Sequence, residues 1–127
     1  ATVLGVLAQR LVRTLCPHCK APIADASADA INDIIKPWKI NAGFKPYKPV
    51  GCVECRMTGY MGRMGVYELL TVSEAFKALV NKEADMDAMR KQGIHDGMRP
   101  LRLAAALRVA DGMTTLEEVL TSTPLMT

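Results

Sequence analysis

The sequence predicts an α+β fold that is mainly helical, with a small four-cysteine lobe, a short β-hairpin and a C-terminal helical bundle. Three observations lead to this prediction. Four cysteines occur as two C-x2-C pairs, Cys16 with Cys19 and Cys52 with Cys55. The stretch 66–70 combines valine, tyrosine and leucine, as strands do. After residue 71, apolar residues recur at helical spacing.

The size and composition fit a folded globular protein. The chain has 127 residues, of which half are hydrophobic and 23% are charged, so an intrinsically disordered chain is excluded. Its apolar runs are too short for a transmembrane helix. The net charge of +3 permits contact with phosphates or an anionic membrane surface but does not require it. The chain opens on an apolar pattern with no initiator methionine and no visible secretory segment, so we expect a piece of a longer chain.

The first predicted element is an amphipathic helix over residues 3–15, in which apolar residues recur at spacings of three and four. Pro17 is expected to end it. Residues 1–15 would thus form a helix that links this sequence to a part of the protein outside it. Residues 16–62 would form the cysteine lobe, and residues 63–127 the C-terminal strand and helices. The apolar positions of the predicted helix are Val3, Leu4, Leu7, Leu11, Val12 and Leu15.

The middle of the chain predicts one more helix and the hairpin. Ser27 is expected to cap a helix that Pro37 ends. Glycines at three-residue intervals favour turns and close backbone approach, which predicts a hairpin over 56–70 that ends in a strand. These glycines are Gly59, Gly62 and Gly65.

Four helices are predicted after Thr71 from residues that start and stop helices. They are a helix capped by Ser73, a helix over 85–92 ended by Gly93, a helix over 100–111 with Gly112 at C′, and a last helix with a Thr115–Glu118 capping box.

The two cysteine pairs predict a structural zinc site with Cys16, Cys19, Cys52 and Cys55 as ligands. Four thiolates at about 2.3 Å complete a tetrahedral shell and leave no open position for substrate. His18 could also bind a metal, but its place inside the first turn makes binding together with both neighbouring cysteines awkward. Two disulfides, four free thiols or one redox-active C-x-x-C pair are the alternatives, and paired spacing in a reduced compartment favours the metal.

Several blocks resemble the C-terminal region of type II secretion and type IV pilus assembly ATPases, and they occur in the same order. The first is the run 9–13 that leads into the first cysteine pair. The second comprises the pair at 51–55 and the stretch 58–70, and the third is the closing stretch 112–120. The resemblance covers nearly the whole chain and is more specific than either cysteine pair alone.

The resemblance implies a bacterial cytoplasmic motor peripheral to the inner membrane. Such a hexamer hydrolyses ATP with Mg²⁺ and drives assembly of pilin-like subunits through an integral membrane platform protein. The implied partners are the remainder of the ATPase core, the other subunits and the platform protein. The sequence contains no G-x-x-x-x-G-K-[ST] phosphate loop, so we assign no catalytic residue and expect no ATP hydrolysis by this chain alone. Secretion and pilus assembly stay equally open.

The resemblance also implies a position near the nucleotide for Arg63, because the matching arginine of the family lies there. A planar guanidinium can stack on a base or pair with a phosphate. The alternative is a surface arginine that satisfies nearby carbonyl groups, since structural ion pairs often mimic sites.

The residues alone also allow two other classes of function, a nucleic-acid-binding module and a redox protein. A free-standing zinc module that binds nucleic acid would need a clustered basic face. The 16 lysines and arginines are dispersed among 13 acidic residues, so nucleic acid is an unfavoured partner. A redox protein would cycle one C-x-x-C pair between thiol and disulfide.

Overall fold

The computed structural model describes residues 3–23, 28–39 and 45–123. This part of the chain has an α+β architecture: a long antiparallel ribbon, a very short second sheet and α-helices. The strands are β1 (Gly5–Leu15), β2 (Ala21–Pro22), β3 (Tyr47–Lys48) and β4 (Tyr60–Thr71). The α-helices are α1 (Ala28–Ile35), α2 (Glu74–Asn81), α3 (Met86–His95), α4 (Leu101–Ala110) and α5 (Leu116–Ser122).

The long ribbon consists of β1 and β4. The helix predicted over residues 3–15 is wrong, because this segment is a strand that pairs antiparallel with β4. Gly5 lies opposite Thr71, and Leu15 lies opposite Tyr60. Apolar residues occur on both faces of this strand, so the sequence lacks a clear alternation and its spacing also matched a helix.

The hairpin predicted over 56–70 is also wrong, but the strand predicted at its end, over 66–70, is confirmed. Residues 60–71 form a single strand, and the partner strand comes from the beginning of the chain. A β-bulge interrupts the ladder where Met61 and Gly62 face the single residue Thr14, whose hydroxyl donates to the Met61 carbonyl. Gly62 has a φ of +80°, a backbone conformation that glycine adopts readily.

The core lies between the inner face of the ribbon and three helices. Helix α4 packs against both long strands, against α1 and against α5. Burial of apolar side chains from all these elements holds the fold together, at about 25 cal/mol for each square ångström removed from water. The buried side chains include Val12 and Val66 from the ribbon, Ile31 and Ile35 from α1, Leu103 and Val109 from α4, and Val119 from α5.

The predicted starts of the four helices after residue 71 are confirmed. The hydroxyl of Ser73 accepts a hydrogen bond from the Phe76 N–H at 3.1 Å and caps α2. The predicted end of the next helix at Gly93 is wrong, because α3 continues to His95. Gly93 is buried inside α3, and a Cβ there would come within 2.9 Å of the Leu70 side chain. This glycine therefore permits close packing of a helix against β4. Helix α4 begins at Leu101, and Pro100 is its N-cap residue, one position before the first turn in which it was predicted.

The end of α4 also agrees with the prediction. Gly112 follows the C-cap residue Asp111 with a φ of +77°. Thr115 caps α5 by accepting from the Glu118 N–H at 3.3 Å. The second half of the predicted capping box is wrong, because the Glu118 carboxylate accepts from Arg13. A partner distant in the sequence, Arg13 on β1, has replaced the local one.

The remaining predictions have mixed outcomes. Helix α1 ends at Ile35, and a single 3-10 turn over Lys36–Trp38 that contains Pro37 follows it. The predicted cap at Ser27 lies outside the described residues. The division at residues 16 and 63 stays a prediction, and β4 runs across its second boundary. In the described part of the chain, no helix is both long and apolar enough to cross a membrane.

Candidate metal centre

The four cysteine sulfurs come together at one end of the long ribbon. All four lie within 4.8 Å of one another. The sulfur–sulfur distances are 3.8 Å for Cys16 and Cys52, 3.9 Å for Cys19 and Cys55, and 3.7 Å for Cys52 and Cys55. A tetrahedral zinc ion with Zn–S bonds of about 2.3 Å requires sulfurs about 3.8 Å apart. The donor set and its spacing therefore fit zinc.

The same distances describe free thiols and not disulfides. A disulfide has a sulfur–sulfur bond of about 2.05 Å. All four cysteines are unbridged in this structure. The arrangement brings both C-x2-C pairs to one point, which a redox site with a single pair does not require.

The first cysteine pair lies on a tight turn directly after β1. Cys16 is buried, and its backbone N–H donates to the Gly59 carbonyl at 2.9 Å. This hydrogen bond joins the turn of the first cysteine pair to the residues that follow the second pair. The Lys20 N–H donates to the Cys16 carbonyl at 3.1 Å and closes the turn. Pro17 and His18 occupy the exposed outer part of this turn, so His18 lies outside the sulfur cluster.

The second cysteine pair lies on a turn with two residues in the left-handed region. Arg56 and Met57 have φ values of 56° and 65°. Their conformation allows the Met57 N–H to donate to the Cys52 carbonyl at 2.8 Å, and the Thr58 N–H to donate to the Cys55 carbonyl at 3.2 Å. The turn thus wraps the backbone around the Cys55 sulfur.

Backbone N–H groups point at sulfurs of both cysteine pairs. Cys55 Sγ accepts from the N–H groups of Cys52 at 3.2 Å and Gly59 at 3.1 Å. Cys19 Sγ accepts from the Gly51 N–H at 3.3 Å. Such hydrogen bonds stabilise a negatively charged sulfur and orient it, as groups around a metal ligand do.

The pKa values of the two cysteines of the second pair are shifted in opposite directions. Burial raises the pKa of the Cys55 thiol, but backbone hydrogen bonds from Cys52 and Gly59 outweigh it and lower this pKa from 9.0 to about 6. A backbone hydrogen bond from Cys55 lowers the pKa of Cys52, whereas burial and hydrogen bonds with the other three thiols raise it to about 11. Cys55 therefore favours the thiolate form more than Cys52 does, and a bound cation would displace the proton that Cys52 holds more strongly.

Gly59 is required by close packing behind the second pair. Its φ is +82°, and a Cβ at this position would lie 2.4 Å from the Pro49 Cβ. The absence of a side chain lets the backbone at residue 59 reach both Cys16 and Cys55. The sequence predicted a turn or a close backbone approach at Gly59, but it did not indicate that Pro49 is the residue in contact.

Lys20 attaches the cysteine lobe to the helical part, which the sequence analysis missed. Its ammonium group donates to the Gly112 carbonyl at 2.9 Å and lies 4.7 Å from the centre of the Tyr47 ring. Carbonyl groups at the end of a helix attract cations, and Gly112 marks the end of α4. The sequence shows a lysine next to a C-x-x-C turn, and this alone does not indicate a contact with the end of α4.

Arg63 lies on β4 away from the turns of the second cysteine pair. It faces Arg13 across the ribbon, and its side chain is exposed. The Arg13 guanidinium contacts Glu118 and lies 4.0 Å from the centre of the Tyr60 ring. Within residues 3–23, 28–39 and 45–123, no hydrogen bond or ion pair engages Arg63.

Comparison with known proteins places residues 1–121 on the family model described as type II/IV secretion system protein. The chain is similar to the type IV pilus assembly ATPase TfpB of Acinetobacter baylyi, with 44% identity over 98% of this chain and 21% of that protein. It is similar to the pilus assembly ATPase PilB of Myxococcus xanthus, with 40% identity over 93% of this chain and 21% of the relative. The type II secretion system ATPase E of Vibrio cholerae is 41% identical over 94% of this chain and 23% of its own length. The chain thus spans about a fifth of the length of these relatives.

Proposed function

Because the chain belongs to the type II/IV secretion system protein family, we propose that it is the zinc-stabilised C-terminal region of a hexameric ATPase that powers type II secretion or type IV pilus assembly. In this proposal Cys16, Cys19, Cys52 and Cys55 hold one structural zinc ion. The region itself organises contacts and carries no catalytic residue. The remainder of the protein supplies ATP and Mg²⁺ binding.

The observation that supports zinc is the spacing of the four sulfurs. Three of their separations lie between 3.7 and 3.9 Å, close to the edge of a tetrahedral tetrathiolate site. A zinc ion there would join the end of β1 to the turn before β4, and its full thiolate shell would exclude substrate. The chemistry that the metal supplies is therefore cross-linking of two distant turns.

An exposed apolar surface supports contact with the remainder of the ATPase core. Residues opposite each other on an antiparallel ribbon share a face. The outer face carries Leu7 opposite Leu69, and Tyr67 and Leu11 lie farther along it. Each of these four side chains is more than half exposed. Apolar side chains grouped in this way mark interaction surfaces.

The finer features of the proposal follow from the family. The parent protein would be a hexamer at the cytoplasmic side of the bacterial inner membrane, in contact with the integral membrane platform protein. Arg63 would lie near the nucleotide of the assembled ATPase. Its exposure and its lack of a partner in the described segments support this role.

The test replaces Cys16 with serine in the full-length protein, because Cys16 belongs to the cluster and is buried. His18→Ala is the matched control, since His18 is exposed on the same turn. We expect Cys16→Ser to lower bound zinc, hexamer formation and secretion or piliation, and the control to change none of them. Normal values of all three for Cys16→Ser would defeat the proposal.

Two further measurements separate this proposal from the alternatives. A nucleic-acid-binding module would shift labelled DNA or RNA in a gel, with a strong dependence on salt. A redox protein would lose zinc and form a disulfide in mild oxidant. We expect neither a salt-sensitive shift nor loss of zinc.

A further inference from the structure

A cleft runs along β4 on the side away from β1. Four consecutive strand residues, 64–67, form one wall, and Ala104 and Leu107 of α4 form the other. Arg99 and Arg108 lie at its rim. The cleft has a volume of about 390 Å³ and is separate from the sulfur cluster.

The strand presents its edge to this cleft. Successive side chains of a strand point to opposite faces, so a surface that touches four residues in succession must follow the backbone. Val66 is buried on the inner face and Tyr67 is exposed on the outer face, yet both line the cleft. Within the described segments β4 pairs only with β1, so backbone N–H and C=O groups along its other edge have no ladder partner.

An open strand edge beside a helix can accept an added strand. In this mode of recognition, main-chain hydrogen bonds provide affinity and alternate side chains enter pockets between the strand and the helix. Met64, Val66, Ala104 and Leu107 would give the floor an apolar character. An extended peptide with apolar residues at alternate positions fits this surface.

The charge at the rim selects an acidic peptide. Arg99 is exposed and makes no hydrogen bond or ion pair with any residue that the structure describes. Arg108 pairs with Asp111 at 3.0 Å but remains 42% exposed. The nearby carboxylate of Glu68 accepts from the Leu101 N–H at 3.1 Å. Asp111 is paired with Arg108 and Glu68 is engaged by the Leu101 N–H, so Arg99 is the rim cation that has no carboxylate partner in the described segments, and it favours an acidic ligand.

We propose that this cleft binds an extended acidic segment of a partner protein as an additional strand on the edge of β4. Backbone pairing would hold the segment, apolar side chains would enter the cleft, and carboxylates would contact Arg99 and Arg108. The proposal does not depend on whether the cysteines bind zinc.

The test measures fluorescence anisotropy of a labelled hexapeptide of alternating valine and glutamate with the full-length protein. One comparison peptide carries lysine in place of glutamate, and a second has every backbone amide N-methylated, which removes the donors for strand pairing. We expect the acidic peptide to bind, more weakly at higher salt, and both comparison peptides to bind at least about tenfold more weakly.

Charge variants locate the binding surface. Arg99→Glu should weaken the acidic peptide about tenfold, and Arg99→Gln should weaken it less. Lys91→Glu is the matched control, since Lys91 is an exposed cation on α3 outside the cleft. Circular dichroism checks that each variant is folded. Absence of binding by the acidic peptide, equal binding of all three peptides, or equal effects of Arg99→Glu and Lys91→Glu would each overturn the proposal.

Discussion

Arg13 and Glu118 form a two-point contact between the first strand and the last described helix. The guanidinium Nε donates to Glu118 Oε1 at 2.8 Å, and the Arg13 backbone N–H donates to Oε2 at 3.0 Å. The Glu118 side chain is 10% exposed and that of Arg13 is 51% exposed. The hydrogen bond that the guanidinium donates to this carboxylate raises the pKa of Arg13, against the opposing effect of burial. Residues 105 positions apart are thereby joined beside the cysteine turns.

Glu118→Ala should destabilise the zinc-loaded chain by about 1–3 kcal/mol. The change leaves a backbone N–H and a guanidinium without their acceptor, and the loss is greater than for an exposed ion pair because Glu118 is buried. The free energy of unfolding in urea measures the effect. Glu117→Ala is the control, because Glu117 is the exposed neighbour on the same helix. Equal effects of the two changes would contradict the role assigned to Glu118.

Gly59→Ala should destabilise the chain more than Gly97→Ala does. Both glycines have a positive φ, which alone costs an alanine about 1 kcal/mol. Only at Gly59 does the added Cβ also meet Pro49, whereas nothing lies within 4 Å of it at Gly97. Urea midpoints give the stability, and the rate of zinc transfer to a chelator reports on the second cysteine turn. Gly59→Ala should accelerate that transfer, and a rate equal to that of Gly97→Ala would argue against tight packing there.

The metal-free, reduced chain should be most stable near pH 9. Between about pH 6 and 9 the folded state binds fewer protons at Cys55 than the unfolded state, so stability rises with pH. Between about pH 9 and 11 the folded state retains the proton of Cys52 that the unfolded chain loses, so stability falls. Urea midpoints across this range test the profile. Cys55→Ser should remove the rise below pH 9, and a steady increase through pH 11 in the unaltered chain would refute it.

Arg63→Ala should leave stability and zinc content unchanged, within about 0.5 kcal/mol for an exposed side chain. In the full-length ATPase the same change should raise KM for ATP or lower kcat, because a cation near the phosphates would be lost. Steady-state ATP hydrolysis measures this effect. Lys82→Ala serves as the control for removal of an exposed charge. Unaltered kinetics for Arg63→Ala would exclude the nucleotide-adjacent position.

Local signals predicted several helix boundaries correctly. The caps at Ser73 and Thr115 depend on a hydroxyl and an N–H three residues later, and the end of α4 depends on Gly112. The C-x2-C spacing predicted two tight turns in the same way. Their assembly into one cluster followed from the chemistry of four thiols.

The failed predictions involve partners distant in the sequence. Residues 5–15 became a strand because residues 60–71 pair with them, and no window of the sequence contains both. Gly93 lies inside α3 and does not end it, because the glycine is needed there for contact with the Leu70 side chain. The Glu118 carboxylate accepts from Arg13 and not from the backbone N–H of its own N-cap residue, because Arg13 of β1 lies beside it. Contacts across long sequence separations override local propensity in each case.

The hydrogen bond from the Cys16 N–H to the Gly59 carbonyl joins the cysteine turns to the start of the strand ladder. A shift of one residue in that ladder would exchange the two faces of β1 and expose Val12. Cys16 and Cys52 are 36 positions apart, and the chain entropy lost in closing such a loop delays non-local strand pairing. An ion bound early by both turns would close the loop first and let pairing proceed from one end. The metal would then select the register and speed folding, in addition to holding the finished structure.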